Sequence, residues 1–301
     1  MSLTNSADNP RNTFRNGYAW SGHDTKDKAT KWAQDIENGV VKDTASGRGP
    51  SPELWQDCDW GNMASGNGEG VVYFNDYVGR LGGGQQSLTG TSTTEISDWI
   101  QTEVTSGLTA RSEIVGGALR VSSEAHASAD DGLTVMYRAT PFVPSDGKTI
   151  WFEARVAMTN IDAAAGAEDQ FFVGLCNTIT SALPSGVIDD TVDKVGFFHH
   201  DGSTTATMSF ITAKTTVEDI TTSAATGLVT GSFVKLGFKI DWVDSVQTIT
   251  PYVNGVAGTA HNTATKVPTA GTGLGICFAA VSEGTTTAVL DVDWVRVAQL
   301  N

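Results

Sequence analysis

Residues 233–255, FVKLGFKIDWVDSVQTITPYVNG, decide the fold. Val234, Leu236, Phe238, Ile240 and Trp242 fall at every second position, with Lys235, Lys239 and Asp241 between them. A period of two puts the apolar set on one face of a pleated strand and the charges on the other. Residues 243–247 supply a polar turn, 248–253 resume an extended β-branched run, and Asn254-Gly255 turns the chain again. The stretch reads as a β-hairpin with one buried face.

The same pattern runs outward through the second half. Beyond Leu119 come ALRVSS, GLTVMYRATPF, KTIWFEARVAM, QFFVGLCN, KVGFFHHD, ATMSFITA, the hairpin itself, LGICFAAVS and AVLDVDWVRVAQ, separated by Gly, Asp, Ser and Thr turns. Short strands with breakers between them and almost no helical period predict an antiparallel β-sandwich. In the last run Leu290, Val292 and Trp294 alternate with Asp291 and Asp293, which places the three apolar residues on one face.

The first half reads differently. Residues 1–50 are polar and Asn-rich, with Phe14, Tyr18 and Trp20 spaced along them, as an extended arm that lays aromatic anchors on its own domain or on a neighbouring subunit. A short helix is expected around 24–36, with Ala29, Trp32 and Ile36 on one face. GRGPSP at 47–52 breaks the chain. Residues 51–117 form a Gly-rich connecting segment holding Leu54, Trp55, Cys58 and Trp60, one strand at 71–77 and another at 96–104. The sandwich domain is expected over 118–301.

Composition narrows the function. The 301 residues carry a formal net charge of −15, which opposes a general affinity for nucleic acid, since phosphate binding needs clustered Lys and Arg. No apolar run is long enough to cross a bilayer, and the N-terminus shows neither the basic nor the apolar region of a signal peptide, so folding in a reducing cytoplasm is expected. Cys58, Cys176 and Cys277 are odd in number and far apart, which predicts no disulfide framework, and Cys176 in FFVGLC and Cys277 in LGICF sit in strand-like apolar runs, as buried free thiols.

Four groups of residues invite chemistry. Glu153 and Arg155 share a strand face, as an ion pair or half of a carboxylate dyad, and Asp291 and Asp293 share another; solvated strand faces account for all four. His199-His200-Asp201 suggests a metal or base, but adjacent strand residues point to opposite faces. Asp189, Asp190 and Asp193, and Asp130-Asp131, are acidic loop clusters with oxygen ligands suited to calcium, and calcium is the one cofactor considered. Trp55, Trp60, Tyr73 and Tyr77 offer either a glycan platform or an interface; the interface is favoured, because the polar segments around them hold too little apolar surface to bury the rings.

GKTIWFEARVAM, the pair FFVGL and KVGFF, the FVKLGFKIDW…ITPYVNGV hairpin and the terminal LDVDWVRVAQL together resemble the concanavalin-like or laminin-G-like jelly roll, over about residues 118–300. The resemblance implies a mainly β, antiparallel jelly-roll sandwich behind an extended arm, and folds of this kind host many activities. The jelly-roll glucanases carry a Glu-x-Asp-x-x-Glu run, and none occurs here. The layout of arm, Gly-rich middle and acidic sandwich also resembles tailed-bacteriophage virion proteins, both capsid decoration (cement) proteins and fibre proteins. That resemblance implies a non-enzymatic virion protein. Its arm, through Phe14, Tyr18, Trp20 and Trp32, would dock on the major capsid protein, and a homo-oligomer, a trimer for instance, would form on the shell. The alternative is a lectin-like carbohydrate-binding module or a host-glycan-binding fibre protein; a polysaccharide hydrolase or lyase is the third class.

Overall fold

The computed structural model describes residues 49–60, 63, 70–77, 86–89, 93–96, 99–103, 106–112, 117–123, 131–159, 161, 169–178, 191–199, 206–282 and 287–300. Phe14, Tyr18, Trp20, Trp32, Asp130, Asp189, Asp190, His200 and Asp201 lie outside them, as does the helix expected around 24–36.

One short helix, α1 (Pro52–Trp55), precedes strands β1 (Gly70–Asn75), β2 (Gln86–Thr89), β3 (Thr93–Ile96), β4 (Trp99–Glu103), β5 (Ser106–Ser112), β6 (Ala118–Ser123) and β7 (Asp131–Tyr137). Then follow β8 (Ile150–Met158), β9 (Gln170–Cys176), β10 (Lys194–His199), β11 (Met208–Lys214), β12 (Val217–Ala225), β13 (Val234–Val243), β14 (Val246–Val253), β15 (Val256–Ala257), β16 (Gly275–Ser282) and β17 (Val289–Leu300). Sheet A runs β15-β14-β13-β8-β17-β6-β5-β2, with β1 also paired to β17; sheet B runs β12-β11-β10-β9-β16-β7-β4-β3. Every pairing described is antiparallel, and the two sheets enclose one core.

The deciding hairpin folds as its pattern dictates. Val234, Leu236, Phe238 and Ile240 are buried in the core, where Phe238 stacks on Phe152 with centroids 4.7 Å apart, and half-buried Trp242 packs against them. The turn is tighter than the polar run suggested. Only Asp244 and Ser245 separate β13 from β14, both with positive φ (50° and 64°), the backbone of a two-residue hairpin whose twist suits the strands. Asn254 and Gly255 repeat it (φ 48° and 82°) between β14 and β15.

Three readings change. The run 96–104 is not one strand: Ile96 ends β3 and Trp99–Glu103 form β4, and the two pair with each other from Thr93↔Thr102 to Ile96↔Trp99. Residues 70–112, read as a connecting segment, contribute strands to both sheets. In β17 the register shifts between Val292 and Trp294, leaving Asp293 as the extra residue of a β-bulge. The bulge reverses the alternation. Leu290 and Val292 face the core, but Val295 and Val297, not Trp294, continue the row. Arg296 is thereby turned to the outer face of sheet A.

Candidate functional site

The outer face of sheet A carries charges, and a strap lies across it. Residues 51–60, including α1, and Met63 form it, seating Leu54, Trp55, Cys58 and Met63 against Trp151 and Ala298. The strand registers align one row across this face: Phe74, Arg296, Glu153, Gly237, Tyr252 and Ala257. Gly237 is the notch in that row. A Cβ there would lie 2.6 Å from Leu54 Cδ2, so only glycine lets the strap approach the sheet this closely.

Directional bonds hold the strap. Glu153, 1% exposed, accepts from the Ser51 amide (2.9 Å) and from Trp55 Nε1–H (2.8 Å), both through Oε2. Burial raises its pKa against those stabilising donors. Asp57 accepts from Trp151 Nε1–H (3.1 Å) and from Lys239 Nζ–H, while Lys235 Nζ–H donates to the Gly49 carbonyl (3.1 Å). Burial pushes the Cys58 thiol up to about 12, so it stays a neutral core group.

Beside the strap, between α1 and the β14–β15 turn, lies a cavity of about 510 Å³. Glu53, Gln56, Lys235, Tyr252 and Asn254 line it, together with Ser51 and Gly255. Ser51 stands at the N-cap of α1, yet its side chain caps nothing; the residue is 1% exposed and its hydroxyl sits against the Glu153 carboxylate. A Cβ on Gly255 would come within 2.9 Å of Glu53 Oε2 and 3.3 Å of Ser51 Oγ, so the glycine keeps this wall open. The arrangement offers one aromatic face and both senses of hydrogen bond.

The residues singled out from the sequence separate. Trp55 and Trp60 come together on sheet A, edge to face at 5.7 Å, with Trp55 buried by its own domain. Tyr73 and Tyr77 point the other way, into the core with Trp99 and Tyr137, and Tyr77 is 2% exposed. The four rings are not one platform. Trp55 and Tyr77 are buried and Trp60 and Tyr73 half-buried, because the sheets behind them supply the apolar surface.

Glu153 and Arg155 share a face but do not pair. Arg155 Nη1 bonds Asp293 at 2.7 Å, and Arg120 holds Asp291 through two 2.8 Å bonds. Both aspartates, read as solvated strand residues, are committed to arginines. Asp193 also departs from its reading as a loop ligand: it is 4% exposed and accepts from the backbone amides of Thr215 (2.8 Å) and Thr269 (2.7 Å). Its carboxylate is occupied. Buried His199 places Nδ1 2.7 Å from the Thr207 carbonyl. No group of three or more potential metal ligands occurs among the described residues.

The sequence reading missed Ser51, Glu53, Gln56, Lys235, Tyr252 and Asn254 as a group. The usable signal was the Asn-Gly turn, which fixes where Tyr252 and Asn254 meet whatever covers the sheet.

No family model matches the chain, and no curated protein matches it. Solved structures do. An endo-1,3-β-glucanase from Streptomyces sioyaensis is similar at a TM-score of 0.53 and 16% identity, over 78% of this chain and 97% of that one. An endo-β-1,4-glucuronan lyase from the fungus Trichoderma reesei follows at 0.47 and 12%, over 75% and 94%. The lectin UEA-II complexed with galactose is similar at 0.45 and 10%, over 77% and 99%. The fold is therefore the concanavalin-like jelly roll. The expectation of a non-enzymatic protein is corrected by the same finding: this architecture is shared with a glucanase, so the fold does not set the chain apart from enzymes.

Proposed function

We propose that this protein binds carbohydrate, and that the cavity between α1 and the β14–β15 turn holds a saccharide unit. The observation that carries the reading is the cavity's lining, one tyrosine ring among Glu53, Gln56 and Asn254. Saccharide recognition needs an apolar face to pack against the C–H face of the ring and convergent polar groups to fix its hydroxyls. A carboxylate and two side-chain amides suit neighbouring hydroxyls, which both donate and accept. The test is calorimetric titration against a panel of neutral oligosaccharides. One of them should bind, and Tyr252→Ala should weaken it by at least about tenfold. No binding across the panel, or binding indifferent to Tyr252→Ala, removes the proposal.

A second reading, a bacteriophage capsid decoration or fibre protein, is supported by apolar side chains that stay exposed on the described surface: Phe74 (53%), Val229 (60%) and Val256 (70%). Its test is light scattering of the full chain beside a chain starting at Gly49, which keeps β1–β5 with the sandwich. A defined oligomer that becomes a folded monomer supports assembly through residues 1–48; two monomers count against it.

A further inference from the structure

The cavity beside the strap opens to solvent, since Glu53, Gln56, Val256 and Ala257 in its lining are exposed. Two of its lining residues are ionic, and they differ in commitment. Lys235 is 2% exposed; its Nζ–H donates to the Gly49 carbonyl, and its charge lies beside the Glu153 carboxylate. Among the described residues, no hydrogen bond or ion pair holds Glu53. Its Oε2 stands 2.9 Å from the place a Cβ on Gly255 would take, so the missing side chain leaves that oxygen open beside the β14–β15 turn. The cavity therefore presents one uncommitted charge to a ligand, and it is negative. The groups around it are polar and uncharged. Asn254 Oδ1 accepts from the Lys235 amide (3.0 Å), which leaves the Asn254 side-chain N–H groups, the Gln56 amide and the Tyr252 hydroxyl to meet a sugar's hydroxyls.

We propose that the cavity selects an amino sugar, a saccharide unit whose amine is protonated, with the Glu53 carboxylate accepting from the ammonium. An ammonium gives that carboxylate a hydrogen bond between two full charges, which a hydroxyl does not. An acidic sugar would meet Glu53 with no uncommitted cation in the lining to offset it. The formal net charge of −15 acts in the same direction, since it raises the local concentration of cations around the chain. The inference rests on the carbohydrate-binding reading and adds a ligand class to it.

The experiment titrates the full chain with three short probes: a glucosamine trisaccharide, its N-acetylated counterpart and a neutral glucan trisaccharide. Salt is kept low, and the pH keeps the amine protonated. The glucosamine probe should bind about threefold to fivefold tighter than either uncharged one, the range for one ion pair at an exposed carboxylate. High salt should shrink that ratio. The N-acetylated probe keeps the nitrogen and removes its charge, so it tells charge from shape. Glu53→Gln, at an exposed position where folding is not at risk, should bring the ratio to about one, whatever it does to glucan affinity. Tyr252→Ala should weaken all three probes. Glucan binding that depends on Tyr252 but shows no preference for the amine overturns this inference alone. A preference that survives Glu53→Gln overturns it too, since the charge of the whole chain would then be its source. Failure of all three probes overturns the carbohydrate reading and this inference with it.

Discussion

The two sheets bury their inner faces in the same core but use their outer faces in opposite ways. On sheet B, Met136, Phe172, Cys176, Phe198, Ile211, Cys277, Ala279 and Val281 form a buried apolar layer. Gly174 and Gly196 sit face to face in its middle, where a Cβ on Gly174 would run into the Val195 carbonyl oxygen and lie 2.7 Å from Gly196 Cα. On sheet A the corresponding layer is Glu153, Lys235, Lys239, Asp241 and Arg296, covered by the strap through indole, amide and ionic contacts. Apolar packing is non-directional and tolerates no gaps, whereas directional bonds leave spaces where a partner group is missing. The described cavity and the unsatisfied Arg296 both lie on the side held by directional bonds.

This contrast can be broken experimentally. The largest effect should come from sheet B: Gly174→Val has no room without moving two strands, and the chain should lose on the order of 4–5 kcal/mol or fail to fold. Urea unfolding followed by circular dichroism checks it. Trp55→Ala on sheet A should cost about 3–5 kcal/mol, since it empties a buried site and takes a donor from Glu153. Trp55→Phe should cost less, about 1–3 kcal/mol, which isolates the indole bond. Should the two substitutions cost the same, the strap is held by the indole bond and not by buried area.

The pH dependence separates ionic groups by sign. Burial raises the Glu153 pKa, so ionising it weakens the fold as pH rises from its unfolded value; acidification does not release the strap through this group. His261 behaves the opposite way. Buried between Thr212 Oγ1 (3.0 Å from Nδ1) and Thr221 Oγ1 (2.8 Å from Nε2), near Asp219 and Lys266, it has a pKa lowered by desolvation. Its contribution is complete above the unfolded value near 6.5 and declines as pH falls through and below it. Melting between pH 7.5 and 5.5 should show this loss, and His261→Gln should flatten it. The smallest effect belongs to Lys239→Met, which releases Asp57 and Asp241 from partly exposed ion pairs at about 0–1 kcal/mol and should vanish in high salt.

Much of the fold was legible because its strands alternate or run apolar over their whole length, as in 234–243 and 274–282. β12 was not. Val217 and Ile220 are its larger apolar residues, both more than 40% exposed, so an edge strand with little to bury carries little period. β2 and β5 were hidden for a related reason, since QSLT and SGLTARS gain strand structure only by pairing with each other and with β6. At the candidate site, Trp55 and Trp60 were recognisable as rings needing cover. The identity of the cover was not: Glu153 lies 98 positions from Trp55, and nothing local joins them.

The sequence alone determined the β class, the hairpin at 234–253 with its Asn-Gly exit, and the burial of Cys176 and Cys277, because period and turn chemistry are local properties. Tertiary structure decided which face each functional side chain occupies. The bulge at Asp293 sends Arg296 outward against strict alternation, and Gly237 admits the strap. Both depend on how distant strands meet, since register between strands is settled by packing across the sheet and not by the residues of either strand alone.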